Sequence, residues 1–316
     1  MSEPRTLQGA IIYFANPDNC VAYLVARRWP NGVACPTCGR KDAAFVPSRR
    51  LWQCKTRHPK SQFSIKVGTI FEDSAVPLDK WLTTMWMLAN CKNGISSYEV
   101  GKAIGVSQKS AWFMLQRIRL ALQSETGGKL GGEVEVDETF IGGKSRNMHK
   151  SVRERRITGT GGKDKTPVLG MLQRGGKVRA EVVRNRRKKT LDVIVRAHVE
   201  PGSAVYTDVL PSYNDLGDEY RHQMVDHAIE YVRENVHTNG LENFWSLLKR
   251  TIGGTYVSVE PFHLFRYVDE QAFRFNNRIE MSDSDRFDVA VRQVVGKRLT
   301  WAEVTGKVGE KQAAIN

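Results

Sequence analysis

The sequence has no apolar run long enough to cross a membrane. Its first, Ala10 to Phe14, is a single short stretch, where a spanning helix needs about 20 residues. No basic segment leads into an apolar one near the start, so no export leader and no membrane partner are expected, and the chain should be cytoplasmic. Cysteine is sparse and odd in number: Cys20, Cys35, Cys38, Cys54 and Cys91. Such a set without an export signal excludes a disulfide framework. There is no Gly-x-Ser-x-Gly elbow, which removes one common acyl-transfer arrangement, and no heptad pattern to mark a coiled-coil interface. Acidic residues are the scarcer charge, 34 against 48 Lys and Arg, leaving a formal net charge of +14.

That positive charge is unevenly placed. Residues 1–130 carry a balance of +10, residues 144–189 one of +13, and residues 190–316 one of −5. Two basic regions thus flank a short acidic segment, a distribution that favours a polyanionic partner such as nucleic acid.

Within the first basic region, Cys35-Pro-Thr-Cys38-Gly39 is a metal knuckle. A two-residue gap lets both thiolates reach one ion, and the glycine admits the tight turn around it. Cys54 and His58 follow and complete a tetrahedral Zn2+ site, structural because no coordination position is left open. Trp52 and Phe63 supply a small apolar shelf, whereas Cys20 and Cys91 have no ligand spacing and read as small buried residues. Further on, Leu78 to Leu88 is apolar at helical spacing. Ser96 then opens a short helix through Ile104, followed by the turn Gly105-Val106-Ser107 and a second helix from Gln108. This is a helix-turn-helix pattern whose polar opening residues would face a DNA groove. Residues 124–132 hold four glycines and no apolar period, and read as a linker.

Glu133 to Ile141 alternates acidic and apolar side chains, the period of a strand with one buried face. Val134, Val136 and Ile141 do not share a face, so a twist or bulge is predicted near Asp137-Glu138. Asp137 is the candidate ligand, with Glu135 one strand period away. Lys144 to Lys165 reads as a long exposed basic loop, either a solvated linker or an arm that clamps phosphates. Residues 167–173 and 178–183 read as strands, 191–199 as a helix, 204–208 as a strand ending in Asp208, 209–216 as a turn or short helix, and 220–226 as a further strand. Glu242 lies on a helix, seven residues before Lys249 and on the same face. Leu241, Phe244, Leu247 and Leu248 give that helix its packing side. Acids on the first strand, the fourth strand and a late helix match a ribonuclease-H-like α/β sheet in which Asp137, Asp208 and Glu242 converge. Three convergent carboxylates suit two hard divalent cations, which support phosphodiester displacement.

Together these residues resemble the bacterial insertion-sequence transposases of the DDE type, in the subgroup with an N-terminal zinc ribbon. The resemblance runs over about residues 20–280. It is carried by Cys35-Pro-Thr-Cys38-Gly39, the stretch from Gln62 to Phe71, Val136-Asp-Glu-Thr-Phe-Ile-Gly-Gly-Lys144, Tyr206-Thr-Asp208 and His237-Thr-Asn-Gly-Leu-Glu-Asn-Phe-Trp-Ser-Leu-Leu-Lys-Arg250. Gly253-Gly-Thr-Tyr256 and Arg274-Phe-Asn-Asn-Arg278 fit as well. It implies Mg2+ (or Mn2+) as a catalytic ion pair held by Asp137, Asp208 and Glu242, with Lys249 as helical companion. Asn239 or Asn243 is the alternative in the third role. The departure is the Cys54-x3-His58 pair, where a second Cys-Cys pair is usual.

The expectation is a multidomain α/β protein: a zinc ribbon over 18–72, a helix-turn-helix region over 73–123, a linker over 124–132, a ribonuclease-H-like mixed-sheet catalytic domain over 133–280, and a C-terminal helix (287–299) and tail over 281–316. It would bind double-stranded DNA at an element's terminal inverted repeats and at the target, at the bacterial nucleoid and as a homo-oligomer. There it would cut DNA and join the freed 3′ hydroxyl to the target. Two rivals are a DNA-binding regulator without catalysis and a nuclease that cuts without joining.

Overall fold

A computed structural model describes residues 3–123, 127–143, 149–156, 165–225 and 237–307. It divides into two units, one made of Met1–Gln123 with Glu280–Asn316 and the other of Ser124–Ile279.

The first unit begins with helices α1 (Leu7–Phe14) and α2 (Pro17–Arg28). Thr6 caps α1 by accepting from the Gly9 N–H, and Asn16 caps α2 with Pro17 at its first position. Three short antiparallel strands follow, β1 (Ala44–Val46), β2 (Leu51–Gln53) and β3 (Gln62–Ser64). Trp52 and Phe63 pair across β2 and β3 and stack with centroids 5.9 Å apart, with the Trp29 ring edge-on to both. Helix α3 (Leu78–Asn90) buries Trp81, Leu82, Met85, Trp86 and Leu88. Helix α4 (Ser97–Ile104) starts in a reciprocal box between Ser96 and Glu99, and a three-residue turn leads to α5 (Gln108–Leu122), capped by Ser107. Cys20 is buried as expected, but Cys91, at the end of α3, is only partly covered.

The second unit is built on one five-stranded mixed sheet. Its strands are β4 (Glu133–Ile141), β5 (Thr166–Gln173), β6 (Val178–Val182), β7 (Ala204–Asp208) and β8 (Arg221–Val225), in the order β6-β5-β4-β7-β8. The β4, β5 and β6 neighbours are antiparallel, while β4–β7 and β7–β8 are parallel. Helix α6 (Lys150–Arg156) precedes β5 and corrects the expectation of a featureless loop there; the rest of that basic arm lies outside the described residues. Helix α7 (Lys188–His198) packs on one sheet face, α8 (Asn239–Arg250) and α9 (Leu264–Asn276) on the other.

This two-sided cover overturns the predicted bulge. β4 pairs with β5 without interruption from Val134 opposite Gln173 to Ile141 opposite Thr166. Val134 and Val136 enter the α7-side core and Ile141 the α8-side core. Both faces are buried, so the apolar residues have no need to share one.

After the sheet, the chain returns to the first unit. Helix α10 (Asp283–Arg292) sits where a helix over 287–299 was expected, ending earlier, and a short α11 (Trp301–Val304) follows. Phe287 lies among Phe14, Tyr23 and Trp86, with ring centroids 4.9–5.8 Å away. Buried Arg117 of α5 donates to the carbonyls of Leu299, Ile70 and Glu72 at 2.7–2.9 Å. Among the described residues, no helix is long and apolar enough to cross a membrane.

Candidate active site and metal cluster

The sequence-predicted zinc ligands meet. The sulfurs of Cys35, Cys38 and Cys54 and a ring nitrogen of His58 all lie within 4.8 Å of one another. Two knuckle hydrogen bonds shape the loop, Gly39 N–H to the Cys35 carbonyl and Cys35 N–H to the Arg40 carbonyl, both 2.8 Å, and Gly39 takes φ +74 where a side chain would strain. His58 sets its Nδ1 2.8 Å from the Pro59 carbonyl, leaving Nε2 on the cluster side, 3.5 Å from the Cys35 sulfur. That is the outer contact that fixes a ligating imidazole's tautomer. Burial works against the Cys35 thiolate, yet the Cys38 and Thr37 backbone N–H groups bring its pKa down to about 6. Three soft thiolates and an imidazole fit Zn2+.

The acids on the sheet are placed differently. β4 and β7 run parallel in a register that pairs Glu135 with Tyr206 and Val136 with Thr207. One step further along the same register sets Asp137 beside Asp208. Both aspartates are half-buried. Burial first, and then the negative charges of Asp208 and Glu242, raise the Asp137 carboxyl above its ordinary range, against the pull of a hydrogen bond from Trp245. Glu242 directly follows buried Leu241 on α8, and Glu242, Asn239, Asn243 and Lys249 are all exposed. Among the described residues, the carboxylates do not close into a mutual 4.8 Å set as the zinc ligands do. Carboxylates are hard oxygen donors, and a divalent cation beside Asp137 would relieve the repulsion it feels.

The expected packing side of α8 does enter the core, with Leu241, Phe244 and Leu248 buried there, but two further anchors were not visible in its apolar spacing. Trp245, absent from the expected packing side, is buried, and its indole N–H donates to Asp137 Oδ2 at 2.9 Å. Its ring occupies the space over Gly170, the β5 residue directly opposite Asp137, where an added Cβ would come within 2.5 Å of it. Glu135, 2% exposed, is the second anchor. Thr238 gives α8 no side-chain cap; instead Glu135 Oε2 accepts the Leu241 N–H at 3.0 Å. A carboxylate at a helix N-terminus is favourably placed by charge and by hydrogen bonding. Arg174 neutralises it, its Nε donating to Glu135 Oε1 at 3.1 Å and a terminal nitrogen to the His237 carbonyl at 2.9 Å. Gly240 permits the close approach, since a Cβ there would lie 2.8 Å from Glu135 Oε2. The only sequence sign of this clamp was the acid one strand period before Asp137.

On the opposite sheet face, Glu138 is enclosed near Tyr213 and Arg186. Burial raises its carboxyl to about 7, helped by the charges of Asp137 and Asp208 and opposed by Tyr213 and Arg186.

The first unit thus carries a thiolate–imidazole cluster, and the second carries acids on neighbouring strands backed by a clamped helix. An ISXO2-like transposase domain matches residues 129–276, and a transposase zinc-ribbon domain matches residues 15–56. The chain is 30% identical over 250 residues, 75% of its length, to an uncharacterized protein in transposable element ISH50 of Halobacterium salinarum, 83% of which is covered. An uncharacterized transposase-like protein of Haemophilus influenzae is 35% identical over 102 residues, 32% of this chain and 82% of that protein. The chain belongs to the insertion-sequence transposases of the DDE type that carry an N-terminal zinc ribbon.

Proposed function

We propose that the second unit is a ribonuclease-H-like DDE domain in which Asp137, Asp208 and Glu242 hold two Mg2+ or Mn2+ ions. Bound there, such ions supply an activated nucleophile and charge neutralisation at the leaving oxygen. The observation that carries this reading is the alignment of Asp137 with Asp208 on adjacent parallel strands, while Trp245 and Glu135 fix α8 so that Glu242's charge is felt at Asp137. Lys249, on the exposed side of α8 with Glu242, orients a phosphate of the DNA. The strand order, with two antiparallel pairings followed by two parallel ones, supports the ribonuclease-H-like assignment.

In the first unit, the ribbon and the α4–α5 pair recognise terminal inverted repeats. Gln108 and Lys109 open α5 exposed, as a groove-facing helix requires. The catalytic sequence is hydrolysis to free a 3′ hydroxyl, then attack of that hydroxyl on target DNA, with two chains gathering two ends.

The test is incubation of the purified chain with duplex DNA carrying the element ends, with Mg2+ or Mn2+. Wild type should cleave and join. Asp137→Ala, Asp208→Ala and Glu242→Ala should each lose about 100-fold or more of both activities while still binding DNA. Cleavage without joining would instead make the chain a nuclease, and full biological activity in Asp137→Ala would make it a regulator. Loss with Asn239→Ala but not Glu242→Ala would move the third ligand.

A further inference from the structure

Beyond Lys249, α8 does not simply end. It runs into a π-helical stretch, Thr251–Tyr256, and then a tight reversal at Val257. Three features of this segment have no explanation among the described residues.

Gly253 and Gly254 are exposed, an added Cβ at either would meet none of the described residues within 4 Å, and neither takes a positive φ. Glycine is a poor helical residue, and here neither space nor backbone conformation calls for it. Val257 takes φ +63 and ψ −53, with the Ser258 N–H donating to the Tyr256 carbonyl at 2.6 Å. This is a γ-turn of the rare, strained hand, occupied by a β-branched residue, the type least suited to it. The Val257 side chain is 78% exposed, so packing does not compensate.

The ends of the segment, by contrast, are fixed. Thr251 Oγ1 donates to Gln271 Oε1 at 3.1 Å, the Tyr256 hydroxyl donates to Glu270 Oε1 at 2.6 Å, and Arg274 pairs with Glu270 and donates to Gln271 at 2.9 Å. A buried polar network on α9 thus holds a strained, side-chain-poor projection in place. Backbone strain and π-type turns of this kind gather where a protein meets a ligand. Lys249 and Arg250, both exposed, stand on the turn just before it.

We propose that residues 249–257 form a DNA-docking turn. Lys249 and Arg250 meet phosphates, Gly253 and Gly254 let the sugar–phosphate chain approach the protein backbone, and the Val257 methyls rest on the sugars or base edges beyond. The positive pair selects a polyanion, and the missing side chains leave room for a broad, continuous strand. This inference rests on the DNA-processing function proposed above.

The full chain is assayed for binding to a short duplex of arbitrary sequence over a salt series, alongside thermal unfolding. The double variant Gly253→Ala/Gly254→Ala should bind about 10-fold more weakly, a loss of about 1.4 kcal/mol, with unchanged salt dependence and a Tm equal to or above wild type. Lys249→Ala/Arg250→Ala should lower the slope of log affinity on log salt by about 2. A photo-crosslinking residue at 257 should attach to DNA, whereas one replacing the exposed Val193 of α7 should not.

Variants that bind like wild type, or no crosslink from 257, overturn the turn and leave the proposed function standing. Weaker binding accompanied by a lower Tm also overturns it, because the glycines would then serve the fold. A wild-type chain that binds no duplex at low salt overturns the function and the turn with it.

Discussion

Glu138 shows how one side chain can hold a cost in reserve. Its neighbours Asp137 and Thr139 face α8, while it points into the α7 side of the sheet, enclosed and lifted to about 7. A folded-state carboxyl raised above its unfolded value near 4.5 contributes stability below that value, and this is lost as pH rises through about 7. Glu138→Gln removes the titration. Its stability relative to wild type should therefore increase between pH 5 and pH 8 by about 1–3 kcal/mol, measured by urea unfolding in a chelating buffer. A difference that does not change with pH would mean that Glu138 is solvated. Cys35 is the opposite case, with backbone N–H donors favouring its charged form despite burial.

Helix α8 is the element on which the candidate site depends: its apolar stripe docks it on the sheet, and two polar contacts fix how it sits there. Removing Glu135 would uncap the helix and take from the largely buried Arg174 its most enclosed carboxylate partner, leaving the longer contact to Glu133. Glu135→Ala should therefore cost the second unit about 3–5 kcal/mol of stability, read from its chemical unfolding; a loss below about 1 kcal/mol would show the clamp to be incidental. Much of this element was legible in the sequence, because its leucines and Phe244 recur at helical spacing and the acidic and apolar residues of β4 alternate. The rest was not, for a physical reason. Alternation states that side chains take opposite sides, but not that both sides are buried. A buried glutamate with an arginine partner from the next hairpin looks like a solvated one. Trp245 fell outside the apolar pattern because what fixes it is across the sheet, an aspartate on one strand and a missing side chain on the next. The knuckle was the easiest to read, since its ligand spacing is local, and even His58, the least usual ligand, joins the cluster.

At the scale of the molecule, the two units call for different tests of integrity. The ribbon has three strands of three residues each and little apolar area beyond Trp52, Phe63 and Trp29, so a metal is needed to hold it. The purified chain should carry one zinc ion by mass spectrometry. Chelation, or Cys38→Ser, should open the residues between α2 and α3 to protease while the sheet unit stays resistant. A metal-free chain with the wild-type digestion pattern would refute a structural role for zinc. The first unit is also discontinuous, closed by Phe287 and by the Arg117 contact to the Leu299 carbonyl, a return that no local pattern of residues announces. It has a consequence for biogenesis. At about 5–20 residues per second on the ribosome, the early helices wait about 10–30 s for the intervening unit to be made before their core can be filled. The sheet unit is therefore free to fold first. The half that carries the ribbon is completed last, so that a prematurely terminated chain would hold the sheet without a finished first unit.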